Sequence, residues 1–214
     1  MKTIILNGSP RKNGNTARLL KEAVKGAESI GSSVEYADLY DLSYTGCRGC
    51  LACKLKTAAP CVCCWKDDLS PLLQKIFAAD RLIIGSPIFL GDITSQVQAL
   101  AERLCFCTLS YDNYANCFTG KVDLSVILTM NASPEYYGRV YKGMMDQRLR
   151  GFRCLNGAMD IYPCCDTLQV DDYSRYAMAA FSEAHKKEVR RTQFPRDLEM
   201  AFRIGAGQAV NPEE

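Results

Sequence analysis

The chain has little of what hydrolytic, imidazole-metal and membrane chemistry requires. Of its 214 residues only His185 is a histidine, so no centre built on two imidazoles is available. That residue sits among Lys186, Lys187, Arg190 and Arg191, a pattern that predicts a solvated helix face. No serine stands in a G-x-S-x-G elbow, so a hydrolase triad is not expected. No apolar run approaches the roughly 20 residues that cross a bilayer. An excess of one charge is missing too: 26 basic and 24 acidic residues leave a formal +2, which gives no bias toward nucleic acid or anionic lipid. The opening residues enter a short apolar stretch without a charged leader or a small-residue cleavage site, so no targeting segment is read there.

Cysteine is what the chain has in excess. Twelve cysteines without an export signal predict a reducing, cytoplasmic setting, where thiols more often bind metal or do redox work than pair. Cys47, Cys50, Cys53 and Cys61 read C-x2-C-x2-C-x7-C, with Cys63 and Cys64 just beyond. Three-residue steps let one loop aim several sulfurs at a common point, the arrangement a cubane iron-sulfur cluster requires. Cys47, Cys50 and Cys53 are therefore candidate cluster ligands, with Cys61 the best fourth and Cys63 or Cys64 as substitutes. Four thiolates also suit tetrahedral zinc, although structural zinc more often uses two separated C-x2-C knuckles, and free loop thiols are a third reading. Cys105, Cys107, Cys117, Cys154, Cys164 and Cys165 share no metal spacing and are expected as small buried hydrophobes.

Strand-like and helical patterns alternate five times. Residues 3–6 are a short β-rich run closed by Asn7-Gly8-Ser9-Pro10, and 16–30 carry Leu19, Leu20, Ala23, Val24 and Ala27 at helical spacing. A second strand over 33–39 leads into the cysteine loop. Asp67-Asp68 opens a helix whose inner face is Leu69, Leu72, Leu73, Ile76 and Phe77. Strands over 81–85 and 121–130 flank a helix over 94–105, and the second of these strands is apolar on both faces, as a central parallel strand is. A helix over 135–150, a weak fifth strand over 157–162 and a long helix over 172–191 complete the pattern. A short helical stretch near 197–202 and a Gly-rich, mobile end are expected in the tail. Such alternation predicts an α/β fold, a doubly wound five-stranded parallel sheet with helices on both faces, and ligands at the carboxyl ends of the strands.

The suggestive loops all follow strands. Gly8-Ser9-Pro10-Arg11-Lys12-Asn13-Gly14-Asn15-Thr16 joins the first strand to the first helix. Its glycines permit a tight turn, the helix amino end attracts an anion, and Ser9, Asn15 and Thr16 can donate to phosphate oxygens. It is neither a P-loop nor a G-x-G-x-x-G fingerprint. After the third strand, Ser86-Pro87-Ile88-Phe89-Leu90-Gly91-Asp92 offers an aromatic face and a backbone open to close approach.

These segments resemble a known family. The first loop is similar to the FMN-phosphate loop of the NADPH-dependent FMN reductase branch of flavodoxin-like proteins, and the second to that family's flavin-ring loop. The cysteine run resembles that of the iron-sulfur flavoproteins within the branch, whose pattern is C-x2-C-x2-C, four to seven residues, and a last cysteine. The likeness covers roughly residues 1–135. It implies that Ser9, Arg11, Asn13, Gly14, Asn15 and Thr16 hold the phosphate of FMN, that Pro87, Ile88, Phe89, Leu90, Gly91 and Asp92 border the ring, and that Thr129 and Asn131 close its far side. It further implies a flavodoxin-like FMN-binding domain over 1–191, including the cysteine-rich loop 46–65, with a C-terminal extension over 192–214. The implied protein is a homodimer or homotetramer exchanging electrons with a small-molecule or protein partner, NAD(P)H among the donors, with a 4Fe-4S cluster at Cys47, Cys50, Cys53 and Cys61. Two readings stand beside it: a cluster-free NAD(P)H-dependent FMN or quinone reductase, and a non-enzymatic carrier or zinc-stabilised interaction module.

Overall fold

The computed structural model describes residues 1–208. Five strands, β1 (Lys2–Asn7), β2 (Ser33–Asp38), β3 (Arg81–Pro87), β4 (Val122–Thr129) and β5 (Asn156–Cys164), form one sheet in the order β2-β1-β3-β4-β5. Every neighbouring pair is parallel. This is the flavodoxin-like order of a doubly wound sheet, with its topological switch between β1 and β3.

The period of two sorts the central strands between two cores. Ile4, Leu6, Leu82, Ile84, Val126 and Leu128 face a layer made by α2 (Leu69–Phe77), α3 (Ser95–Thr108) and the helical stretch after β4. Ile5, Ile83, Ile127 and Cys164 face the other layer, made by α1 (Asn15–Ser29) and the C-terminal helices. Both faces of β1, β3 and β4 are covered, which is why these strands read as continuous apolar runs. The outer strands β2 and β5 are only half-buried. Pro163 is tolerated in β5 because that strand lies at the sheet edge.

The stretch after β4 departs from one uniform helix. It comprises α4 (Pro134–Tyr136), a π-helical turn over Tyr137–Tyr141, α5 (Lys142–Arg148) and a 3-10 segment over Leu149–Leu155. Asn156, in the left-handed region at φ 60, ends it. The long helix expected over 172–191 is also shorter. Asp172 caps a 3-10 turn over Tyr173–Arg175, and α6 (Glu183–Thr192) begins afresh where Ser182 Oγ accepts from the His185 amide. His185 is exposed and lies 3.4 Å from Asp166.

The tail beyond residue 191 contains α7 (Phe194–Gly205), which covers α1 and buries Phe194, Ala201 and Ile204 in the second core. The two helices touch through glycines. A β-carbon at Gly26 would lie 2.0 Å from the Phe202 carbonyl oxygen, and one at Gly205 would lie 2.0 Å from that of Ala23. The end of the tail, residues 209–214, lies outside the described residues. Among the described residues no helix is long and apolar enough to cross a membrane.

Candidate functional site

The loop after β1 is shaped by its own polar side chains. Asn7 donates from Nδ2 to Asp38 Oδ1 at 2.7 Å and accepts the Ser9 amide at 3.0 Å, while Ser9 Oγ accepts the Arg11 amide at 3.1 Å. The turn delivers Gly14 as the residue before α1, whose amino end has neither a side-chain cap nor an acid in its first turn. Unpaired amides and the positive end of the helix dipole are thus left facing a cleft of about 540 Å³, within the range of cofactor sites.

Ser9, Arg11, Asn13, Gly14, Asn15 and Thr16 line that cleft, together with Pro87, Ile88 and Phe89 from the end of β3 and Thr129 and Asn131 from the end of β4. Thr16 Oγ1 and Thr129 Oγ1 share a buried hydrogen bond of 2.7 Å, which ties α1 to β4. The Ile88 amide donates to the Thr129 carbonyl at 2.8 Å, and the half-exposed Phe89 presents an aromatic surface. Asn131 Oδ1 is buried without a partner. A buried acceptor in this state costs free energy until a donor, from water or a ligand, reaches it.

Leu90, Gly91 and Asp92 are not brought to the cleft. Phe89 and Asp92 exchange backbone hydrogen bonds of 2.8 and 3.0 Å, closing a tight turn in which Leu90 and Gly91 have φ of 51 and 82. The turn throws Leu90 fully into solvent, and Arg148 holds the Asp92 carboxylate at 2.9 Å.

The sequence reading missed the fourth side of the cleft. Arg18, residues 167–171 and Arg190 also line it. Arg11 donates to the Gln169 carbonyl and Asn15 to the Leu168 carbonyl, both at 2.9 Å, and Arg190 donates to Asn15 Oδ1 at 3.0 Å. The signal was available in the rule that loops after parallel strands meet at one edge. The loop reaches the cleft because β5 runs to Cys164, two residues beyond the strand expected from the sequence, and because the helix expected over 172–191 begins only at Glu183.

The cysteine loop follows β2 and borders a second void, separate from the cleft. Cys47, Cys50, Cys53, Cys63 and Cys64, with Cys107 of α3, border a void of about 20 Å³ closed by Arg103, Phe106 and Trp65. Among the described residues no three His, Cys, Asp or Glu side chains converge on a point that would hold a single metal ion. The favoured fourth thiol, Cys61, is not in the wall of the void. Its φ is 60, Gln74 Nε2 donates to its carbonyl at 2.9 Å, and the thiol that acts on it is Cys117. Burial raises the Cys53 thiol, and pushes Cys154 up to about 12.

Arg103 is 2% exposed and bidentate to Asp67, at 2.8 and 3.1 Å. Burial works against the Asp67 carboxylate, but the hydrogen bonds from Arg103 and the Ser70 amide outweigh it and hold the carboxyl below its usual range.

Known proteins resemble this chain at both levels. An NAD(P)H:quinone oxidoreductase from Methanothermobacter marburgensis superposes with a TM-score of 0.70 at 15% identity, over 97% of this chain and 96% of that one, which is a likeness of fold. An iron-sulfur flavoprotein of Methanocaldococcus jannaschii is 36% identical over 103 residues, 48% of this chain and 51% of the relative. One of Archaeoglobus fulgidus is 37% identical over 103 residues, 48% of each. The chain therefore spans about half the length of these relatives. The model of the family described as NADPH-dependent FMN reductase matches residues 1–136, a stretch that holds the β1 loop, the thiol loop and β3 with its turn, and the chain belongs to that family.

Proposed function

We propose that the chain is a flavin-dependent oxidoreductase that binds FMN in the cleft at the carboxyl edge of the sheet. The observation that carries this reading is an uncapped, acid-free amino end of α1 opening into a cleft lined by Arg11, Arg18 and Arg190. That is an anion site. Beside it lie the apolar ledge Pro87, Ile88 and Phe89 and the unpaired Asn131 Oδ1, which suit a flat ring with polar edges.

In this reading Ser9, Arg11, Asn13, Gly14, Asn15 and Thr16 hold the phosphate. Pro87, Ile88 and Phe89 carry one side of the ring, with Thr129 and Asn131 against its far side. Bound FMN supplies the hydride and electron chemistry. The protein orients it: the contacts from Arg11 and Asn15 to the Gln169 and Leu168 carbonyls pin the β5 loop over the cleft. NAD(P)H is the proposed donor, with a small molecule or a protein as acceptor.

The donor set of the thiol loop fits an iron-sulfur cluster in chemistry, because several soft ligands face one void beside a buried cation. Cys47, Cys50 and Cys53 would supply three of the four thiolates of a 4Fe-4S cluster. The void is small, but most of its wall is irregular loop, which can widen. A cluster-free reductase is the second reading, favoured by the lack of convergence on a single point among the described residues.

A homo-oligomer completes the proposal. Leu90, Tyr136, Met144 and Phe181 leave apolar side chains exposed. They lie together: Met144 and Tyr141 approach Gly91, Tyr136 packs on Tyr141 at 5.1 Å, and Phe181 lines a neighbouring cleft with both tyrosines. Such a patch is what a second copy covers.

The test is an anaerobic preparation in which FMN, iron and sulfide are counted per chain and NADPH and NADH oxidation is followed. One FMN per chain with nicotinamide oxidation is expected. A chain that neither retains FMN nor takes it up at micromolar concentration refutes the reading.

A further inference from the structure

The irregular helix after β4 builds a second cleft beside the first. We propose that this cleft, bounded by Tyr136, Tyr141, Asp166, Phe181, His185 and Lys186, takes the electron acceptor, a flat aromatic carbonyl compound of the quinone class. The assignment deepens the flavin reading and rests on it.

The π-helical turn over Tyr137–Tyr141 makes the aromatic wall. At about 3.6 residues per turn, positions five apart lie roughly 140° from each other around a helix axis. A turn closed by i→i+5 hydrogen bonds brings them back to one side, and such turns are frequent at functional sites. Tyr136 and Tyr141 accordingly meet edge to face, with ring centroids 5.1 Å apart and planes at 79°. Phe181, from the segment before α6, adds a third ring. Tyr136 and Phe181 are 40% and 42% exposed, so neither is committed to the core, and both are free to pack on a flat ligand.

The polar side of the cleft is fixed. Lys186 is 3% exposed and donates from Nζ to the Asn131 carbonyl at 2.6 Å and to Asp166 Oδ1 at 2.5 Å. An ammonium carries three N–H donors, which leaves one for a carbonyl oxygen of the ligand. His185 Nε2 stands 3.4 Å from the other Asp166 oxygen. The volume, about 600 Å³, is that of a small-molecule site.

Its position suits electron exchange. Asn131 lines both clefts, and Asp166 is followed directly by Thr167 of the flavin cleft. Tyr141 approaches Gly91 in the turn after Phe89. An acceptor held here therefore lies against the side of the first cleft where the flavin ring is proposed. Leu90 and Met144 are outside its lining, so a second copy seated on them meets the rim and leaves the cleft to a ligand. The reaction balances. The nicotinamide C–H bond of NAD(P)H breaks, its hydride equivalent passes by way of the bound cofactor, and one proton comes from solvent. Two O–H bonds form on the acceptor, and NAD(P)+ is left.

The test is equilibrium dialysis of the FMN-saturated chain, without a donor, against two probes. One is an anthraquinone monosulfonate, whose fused rings leave no position for thiol addition. The other is the matching anthracene monosulfonate, with the same rings and charge but no carbonyl oxygens. The quinone should bind about fivefold more tightly, the worth of one hydrogen bond. Its affinity should fall about tenfold in Phe181→Ala and in Tyr136→Ala, the worth of burying a ring face, with the Kd for FMN unchanged in both. With NADPH as donor, the KM for the quinone should rise by a similar factor. Equal binding of the two probes, parent-like quinone affinity or KM in either variant, or no quinone binding by a chain that holds FMN overturns the assignment and leaves the flavin reading standing. A parent chain that does not bind FMN defeats the flavin reading, and this assignment with it.

Discussion

Replacing Asp67 by Asn strips the counter-charge from Arg103, and the structure sets the size of the effect. The two side chains are 2% and 9% exposed and meet at 2.8 Å. Asn is nearly isosteric, so the shape of the site survives, while the charge is lost and one of the two oxygens that accept from Arg103 becomes an NH2 donor. The Arg103 cation then stays buried beside a neutral amide, and breaking a buried pair in this way costs about 3–5 kcal/mol. For a chain of this length, where 1 kcal/mol moves the midpoint about 2–4 °C, the expected fall in Tm is about 6–20 °C. The assay is thermal or urea unfolding of the parent and variant without iron, at one fixed excess of FMN, because ligand binding shifts apparent stability. The pH dependence supplies the sign. The Asp67 carboxyl is held below its usual range in the folded chain, so its contribution is fully present above the unfolded value of about 3.9 and disappears as pH falls through the folded one. The gap between parent and variant should therefore be widest near neutral pH and close in acid. A loss under about 1 kcal/mol at pH 7 would show that the pair is solvated like a surface bridge and that Arg103 is not a buried cation in the wall of the void.

Three further outcomes follow from the same contacts. Gly26→Ala and Gly205→Ala each drive a β-carbon to 2.0 Å from a carbonyl oxygen across the α1–α7 contact, so each should destabilise by about 1–3 kcal/mol or more in urea titrations, and an unchanged midpoint would mean that α7 is not seated on α1. Arg11→Ala removes a cation from the cleft and its bond to the Gln169 carbonyl. The loss of one charge-assisted contact, about 1.5–3 kcal/mol, should weaken FMN about 10- to 150-fold in fluorescence titration, and an unaltered Kd would place the phosphate elsewhere. Leu90→Glu puts a charge at a fully exposed apolar position; light scattering should show a smaller assembly with FMN still bound, and an unmoved mass would locate the oligomer contact on another face.

Why the fold was legible in the chain and parts of the site were not has a physical basis. Ile4-Ile5-Leu6, Leu82-Ile83-Ile84 and Val126-Ile127-Leu128 are buried on both faces, so the sequence shows them as unbroken apolar runs and the parallel sheet follows. β5 carries the same register but lies at the edge, half-buried, and its alternation is diluted. That is why its end was misplaced and the loop at 167–171 overlooked. The first loop could be placed at the cleft because local features shape it: glycines, hydroxyls and a helix start. Leu90 to Asp92 could not, because their direction is decided by the Phe89–Asp92 turn and by Arg148, a residue far along the chain. Cysteine spacing favoured Cys61 on sequence distance alone. Cys63 rather than Cys61 borders the void, opposite Arg103 of α3, and no spacing rule within the loop contains that residue.

α3 gives the physical reason to expect that the cleft and the thiol void respond separately to substitution. Its amino end is fastened beside the cleft, where Thr94 Oγ1 donates to the Gly8 carbonyl at 2.8 Å and the Thr94 amide donates to Ser86 Oγ at 3.1 Å. Farther along the same helix, Arg103 and Cys107 form part of the thiol wall. Nine residues at 1.5 Å each put roughly 14 Å of rigid helix between Thr94 and Arg103. Loop thiols can therefore be exchanged without reaching the proposed phosphate contacts, whereas tilting α3 would disturb both places together. Selective loss of iron with FMN retained is then the signature of a ligand, and joint loss is the signature of a displaced helix.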